Sequence, residues 1–96
     1  MQVKIQSIHF TAKQELNDFV TEKVTGLSRL SKEVLGGEVS LKLDKSEARE
    51  NKICQIRLVV PENDLFAKCQ CETFEGATNQ AIEALQKQIE KLKSKH

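Results

Sequence analysis

The fold is decided by residues 38–72, which read EVSLKLDKSEARENKICQIRLVVPENDLFAKCQCE. Polar and apolar residues alternate over Glu38–Asp44, with Val39, Leu41 and Leu43 on one side. This period of two predicts a half-buried strand of an antiparallel sheet. Two further strands are predicted after it, at Ile53–Val60 and Leu65–Glu72. Polar residues connect the strands, in a hairpin loop at Lys45–Asn51 and a turn at Pro61–Asp64, so the stretch predicts a three-stranded meander.

The register of the second hairpin follows from its apolar pattern. A four-residue turn places Val60 opposite Leu65. Counting back pairs Leu58 with Ala67, Ile56 with Cys69, and Cys54 with Cys71. Every pair is apolar and lies on one face of the sheet, whereas a one-residue slip would turn polar residues inward. The opposite face is predicted to be polar and solvent-facing, and it carries Lys42, Gln55, Arg57, Lys68 and Gln70.

Residues before this stretch predict a strand and a helix. Gln2–Ile8 alternates and indicates a short strand. Thr11 and Gln14 have the spacing of a capping box, so we expect a helix to begin at Thr11 and to weaken near Gly26 or run on to Leu30. Its apolar stripe consists of Leu16, Phe19, Val20, Val24 and Leu27. Gly36–Gly37 is predicted to break the chain before the meander.

The last predicted element is a helix from about Thr73 to about Lys93. Its apolar stripe consists of Ala81, Ile82, Leu85, Ile89 and Leu92. Lys87, Lys91 and Lys95 project on the far side, and Glu83 precedes Lys87 by one turn in the favourable order for an ion pair.

The element order is therefore β-α-β-β-β-α. Because both helices must bury their stripes against the one apolar sheet face, the predicted fold is a two-layer α+β domain. It has a four-stranded sheet with both helices packed on one side. The chain of 96 residues is expected to be a single domain over 1–96. No apolar run is long enough for a membrane helix, and Met1–Phe10 does not resemble a signal peptide, so a cytosolic location is expected.

Positive charge is concentrated at one end of the sequence. The last ten residues carry four lysines and one glutamate, while the other 86 residues carry 11 basic and 13 acidic groups. Lys87, Lys91 and Lys95 are spaced four apart and form one helical stripe that could follow phosphates. Lys93 adds to this set, and a weaker basic set consists of Lys23, Arg29 and Lys32. The alternative interpretation is a solvated helix end whose lysines suit the helix dipole.

Lys23 falls inside the apolar stripe of the first helix, between Val20 and Leu27. A buried, unpaired ammonium is costly, so its side chain must extend to an edge of the stripe. Lys23 is either a boundary residue that covers apolar surface or a cation at the rim between the helices, where it could join Lys91.

Few residues could carry catalysis or bind a metal. Cys54, Cys69 and Cys71 fall on one patch of the sheet, but they face the helices and lack a fourth ligand for zinc, so we interpret them as small core residues. His9 and His96 are the only histidines, and there is no glycine-rich phosphate loop. We therefore expect no enzymatic activity, no cofactor, no metal and no small-molecule substrate.

Several strings resemble the ribosome hibernation promoting factor family, which includes the ribosome-associated inhibitor and is also called the sigma-54 modulation protein family. They are the opening Met1–Gln6, the helical Leu16-x-x-Phe19-Val20-x-x-Lys23-x-x-x-Leu27, Val39-x-Leu41-Lys42-Leu43, Leu65-x-Ala67, and the closing run from Ala77 to Lys95. Together they cover the whole chain, and the chain resembles the short form of the family.

The resemblance implies a domain shaped like a double-stranded-RNA-binding domain. Such a protein occupies the mRNA and tRNA channel of the small ribosomal subunit and represses translation under stress or in stationary phase. The implied rRNA-binding residues are Lys23, Arg29, Lys32, Lys87, Lys91, Lys93 and Lys95. The implied partners are the small subunit and its rRNA, without a membrane, and short members often act with a separate ribosome-dimerising factor. Recognition is expected to use RNA backbone and shape, since no aromatic residue lies on the basic helix surfaces.

Other classes of function remain open from the residues alone. A general double-stranded-RNA binder would bind any duplex with similar affinity. A regulatory protein-interaction module would bind its partner without salt sensitivity, and a thiol redox or metal protein would contain zinc or a reactive thiol.

Overall fold

A computed structural model describes residues 1–45 and 47–94 of the chain. The elements are β1 (Gln2–Ile8), α1 (Gln14–Ser28), β2 (Gly36–Leu43), β3 (Lys52–Val59), β4 (Leu65–Cys71) and α2 (Phe74–Ser94). The predicted order β-α-β-β-β-α and the α+β class are confirmed.

The four strands form one mixed sheet in the order β1-β2-β3-β4. β2, β3 and β4 pair antiparallel as the predicted meander, whereas β1 pairs parallel with β2 across the α1 connection. Both helices pack on the same sheet face. Buried residues of both layers meet there, among them Val20 and Val24 of α1, Ile56 of β3, and Leu85 of α2.

The start of α1 differs from its predicted position, whereas α2 begins where it was predicted, at Phe74 directly after Thr73. α1 begins at Gln14, and its N-cap is Lys13 without a side-chain hydrogen bond, so the predicted capping box at Thr11 is wrong. The Gln14 amide donates forward to Asp18 Oδ1 at 2.8 Å instead of back towards Thr11. At the start of α2, Thr73 Oγ1 accepts a hydrogen bond from the Gly76 N–H at 2.9 Å, which satisfies an otherwise unpaired donor of the first turn.

The predicted break at Gly36 and Gly37 is wrong, because both glycines belong to the start of β2. They pair with Gln2 and Val3 of β1, and this parallel pairing extends the strand beyond its alternating segment. Gly37 faces α1, where an added β-carbon would lie 2.8 Å from Val24 Cγ1. A glycine here therefore permits the close approach of α1 to the sheet.

We expect Gly37→Ala to lower the free energy of unfolding by about 1–3 kcal/mol, because the added methyl overpacks the contact with Val24. Gly26→Ala is the matched control, since a β-carbon at this helical position meets no atom within 4 Å. It should raise stability by about 0.5–1 kcal/mol through better helix propensity. Urea unfolding of both variants measures the difference, and equal effects would contradict the close approach.

The predicted register of the β3–β4 hairpin is wrong by two residues. Leu58 pairs with Leu65, Ile56 with Ala67, and Cys54 with Cys69. The connection is longer than a four-residue turn because Val60 leaves the ladder and its N–H lies 3.4 Å from Asp64 Oδ1. A shift of two residues keeps every side chain on its predicted face, so apolar patterning could not reveal the error.

Neither helix within residues 1–45 and 47–94 combines the length and apolar character that a bilayer crossing requires.

Candidate nucleic-acid interface

The sheet topology brings the C-terminal ends of both helices to the same end of the molecule. β1, β2 and β4 run in one direction, and the helices that follow β1 and β4 both run back the other way. The partial negative charge at the end of each helix favours cations nearby. The fold therefore provides a common site for the basic sets that are more than 50 residues apart in sequence.

The C-terminal half of α2 exposes Lys87, Lys91 and Lys93. Lys87 and Lys91 are separated by about 40° around the helix, so they form the predicted stripe. Lys93 lies about 200° from Lys91 and belongs to the opposite flank. Lys95 lies outside the described residues.

The two flanks of α2 face different neighbours. Gln88 marks the β4 flank, because its amide nitrogen donates to the Phe66 carbonyl at 2.9 Å and its amide oxygen lies 3.4 Å from the Phe66 N–H. Lys91 lies towards this flank. Lys93 lies about 140° from Gln88, on the side where α1 packs. The structure thus places Lys93, and not Lys91, on the flank that α1 shares.

Lys23 is exposed although it falls within the apolar stripe of α1. Val20, Val24 and Leu27 are buried beside it. Its ammonium lies over the Phe19 ring, 5.6 Å from the centroid, in a cation–π contact. The prediction that this side chain extends to an edge is confirmed, and the contact covers part of a half-buried aromatic ring.

Arg29 and Lys32 are exposed immediately beyond the end of α1. The next residue, Glu33, lines a cleft of about 490 Å³ together with Pro61, Leu65, Lys91 and Leu92. This cleft joins the α1–β2 connection to α2 and to the turn before β4. The structure therefore brings Arg29, Lys32 and the α2 lysines to one end of the fold, with acidic Glu33 among them.

The ion pairs at Arg49 and Arg57 do not involve the predicted lysines. Within the described residues, Lys87 has no ion pair, and the expected partner Glu83 does not reach it. Lys91 does make an interaction with a neighbour. Lys87 therefore presents an unneutralised ammonium at the surface.

The cysteines belong to the core side of the sheet. Cys54 is fully buried, and Cys69 and Cys71 are half-buried. Burial raises the pKa of the Cys54 thiol from 9.0 to about 11, against the lowering effect of the Thr78 hydroxyl 3.5 Å from its sulfur. Burial also raises the pKa of Cys69, with a further contribution from Cys71. Thiols held protonated are poor nucleophiles and poor metal ligands, and the described residues contain no cluster of three or more His, Cys, Asp or Glu side chains suited to a metal ion.

The raised pKa of Cys54 predicts a loss of stability at alkaline pH. The folded state holds this proton more tightly than the unfolded chain, so stability is greatest below pH 9 and falls as pH rises towards 11. The expected loss is about 2–3 kcal/mol. Urea unfolding at several pH values should show a steeper alkaline loss of stability in the parent protein than in Cys54→Ala, which retains the smaller contribution of Cys69. Equal slopes would contradict the assignment.

Sequence reasoning missed Gln88. Its two hydrogen bonds join α2 to the edge strand β4 beside the lysine-bearing turns, and they hold the helix against the sheet. No sequence signal identifies it, because a half-buried glutamine on a helix flank cannot be distinguished by sequence from a solvated one.

Comparison with known proteins agrees with this architecture. A search of the curated proteins gave no match. Among solved structures, the Thermus thermophilus Protein Y N-terminal domain is similar with a TM-score of 0.80 and 18% identity, over 96% of this chain and 99% of that one. A ribosomal subunit interface protein from Coxiella burnetii is similar with a TM-score of 0.82 and 15% identity, over 98% of this chain and 99% of that one.

At these identities the similarity to solved structures establishes the fold. Family membership rests on the sequence itself. The family described as Sigma 54 modulation protein / S30EA ribosomal protein matches residues 3–96, which is nearly the whole chain. The match includes both helices and all four strands, and it confirms the resemblance found in the sequence strings. This chain belongs to the Sigma 54 modulation protein / S30EA ribosomal protein family.

Proposed function

We propose that this protein is a cytoplasmic ribosome hibernation factor that binds the small ribosomal subunit through one domain spanning residues 1–96. The observation that carries the proposal is that both basic sets lie at the same end of the molecule, where the two helices packed on one sheet face both terminate. Membership of a family described as ribosomal supports the same partner. The similar Coxiella burnetii structure is itself described as a ribosomal subunit interface protein.

The proposed mechanism is steric. The side chains in contact with rRNA would be Lys23, Arg29, Lys32, Lys87, Lys91, Lys93 and Lys95. Ammonium and guanidinium groups on packed helices contact phosphates without reading sequence. A folded domain held in the mRNA and tRNA channel would exclude both RNAs and repress translation under stress. The mechanism requires no catalysis, cofactor, small-molecule substrate or membrane, and a separate ribosome-dimerising factor is a further proposed partner.

Sucrose-gradient sedimentation with purified ribosomes and separated subunits tests this function. We expect the protein to migrate with the small subunit and with whole ribosomes, and to dissociate as salt rises. About five phosphate contacts give a slope near −4 for the logarithm of affinity against the logarithm of salt concentration. Comparable affinity for an unrelated RNA duplex would favour a general duplex binder. Binding that does not change with salt would favour a protein-interaction module.

A further inference from the structure

The sheet face opposite the helices is a second basic surface, which we call the outer sheet face. Its outward positions alternate with buried core residues along each strand. They carry four cations and one acid, namely Lys4, Lys42, Arg57, Lys68 and Glu38. Asp64, whose carboxylate lies against Arg57, adds a second acid, so the face has an excess of two positive charges in a chain whose formal net charge is +1. This surface is distinct from the helix ends that carry the proposed ribosome-binding residues.

Three of these cations are available to a ligand. Arg57 pairs with Glu38 across the β2–β3 ladder and has its Nε 3.6 Å from Asp64 Oδ2, so its charge is balanced and its position is fixed. Lys4, Lys42 and Lys68 are exposed and make no ion pair within the described part of the chain. Their ammonium groups are therefore free of carboxylates from the described residues and accessible to an anionic partner.

Phe66 lies among these charges with 47% of its surface exposed. It is directly opposite Arg57 in the β3–β4 register and two residues before Lys68 on the same face. The two hydrogen bonds from Gln88 to its main chain hold this part of the edge strand in place. An exposed aromatic ring beside ammonium groups is the arrangement on which an unpaired base stacks while its neighbouring phosphates are neutralised.

The exposed ring of Phe66 favours single-stranded nucleic acid over a duplex or a protein as the anionic partner. In a duplex the base faces are stacked on one another and cannot reach a ring on a flat sheet. Single-stranded nucleic acid offers both a free base face and phosphates, and strand geometry places the α-carbons of Phe66 and Lys68 about 7 Å apart along β4. A protein partner would need a broader apolar surface than this face offers. Its outward Ile8, Ile53 and Val59 are half-buried and are separated from one another by Lys42, Gln55 and Arg57.

We propose that the outer sheet face binds a single-stranded RNA segment, with one base stacked on Phe66 and phosphates held by Lys68 and Lys42. The protein would then contact RNA on two opposite sides, through its helix ends and through its sheet. Stacking adds a recognition mode beyond the backbone and shape contacts expected of the helix surface.

The chain contains no tryptophan or tyrosine, so Phe66→Trp creates a single indole reporter at the proposed stacking position. Titration with a short unstructured oligouridylate should quench its fluorescence at low salt. In fluorescence anisotropy with the labelled oligonucleotide, Phe66→Ala should weaken binding about tenfold. Lys42→Glu with Lys68→Glu should weaken it further, and an RNA duplex of equal length should compete poorly.

Lys45→Glu with Arg49→Glu is the matched control, because it makes the same change in net charge in the β2–β3 connection, outside the outer sheet face and the helix ends. It should lower oligouridylate affinity much less than Lys42→Glu with Lys68→Glu does. Circular dichroism of each variant verifies that the fold is retained. Unchanged affinity in Phe66→Ala, no quenching in Phe66→Trp, or an equal loss of binding in the Lys45→Glu, Arg49→Glu control would each overturn the proposal. None of these results would affect the sedimentation test of ribosome binding.

Discussion

Lys87→Glu combined with Lys91→Glu is expected to abolish co-sedimentation with ribosomes at about 0.1 M salt, with a loss of affinity of about a hundredfold or more. Both side chains are exposed on the same stripe of α2, and both point away from the buried residues Leu85 and Ile89. Reversal of the two charges replaces two attractions to phosphates by two repulsions. It also lowers the number of phosphate contacts by two, so affinity should depend less steeply on salt concentration. Pelleting assays over a range of salt concentrations measure both effects.

The matched control is Lys45→Glu combined with Arg49→Glu, which makes the same change in net charge. These exposed residues lie in the β2–β3 connection, at the end of the sheet opposite the helix C-termini. We expect this variant to pellet with ribosomes almost as the parent protein does. If both variants bind equally, or if the α2 variant still pellets, the lysines of α2 are not the binding surface.

Leu85→Ala is expected to lower the free energy of unfolding by about 3–5 kcal/mol. Leu85 is fully buried in the core cluster that α2 shares with α1 and the sheet. Truncation removes apolar contacts and leaves a cavity beneath the helix that presents Lys87 and Lys91. A loss of this size is a large part of the stability of a small domain, so ribosome binding should fail at a lower temperature than in the parent protein.

Leu35→Ala is the control for this truncation, because it makes the same change in a side chain that is 60% exposed. Its effect on unfolding should stay within about 0.5 kcal/mol. Urea unfolding followed by circular dichroism gives both values. A loss below about 1 kcal/mol for Leu85→Ala would show that α2 is not anchored through this residue.

Much of the fold was predictable because periodicity is a local property of the chain. Alternation of polar and apolar residues predicted the strands β2, β3 and β4, and the apolar stripe from Ala81 to Leu92 predicted the helix α2. Errors occurred where a distant neighbour decided the outcome. Gly36 and Gly37 resemble a break, yet pairing with β1 extends β2 through them. The hairpin register differed by two residues because Val60 turns towards Asp64, and the apolar pattern is the same in both registers.

The candidate binding residues were predictable as a list and not as an arrangement. Spacing showed that Lys87 and Lys91 share a stripe, since helical rotation depends only on residue number. It did not show that Lys93 lies on the flank next to α1, because the partner of each flank depends on how the helices are placed over the strands. The proposed stacking position of Phe66 likewise depends on strand pairing, which places Arg57 directly opposite it.

The sequence by itself determined which face of each predicted strand and helix is buried, which elements form and in what order, and where lysine is concentrated along the chain, because these properties arise from residue type and short-range spacing. Only the tertiary structure decided that Arg29 and Lys32 reach the same end as the lysines of α2. That meeting depends on β1, β2 and β4 running in one direction, so that both helices return together. Strand direction is set by pairing between distant segments, which no local pattern contains.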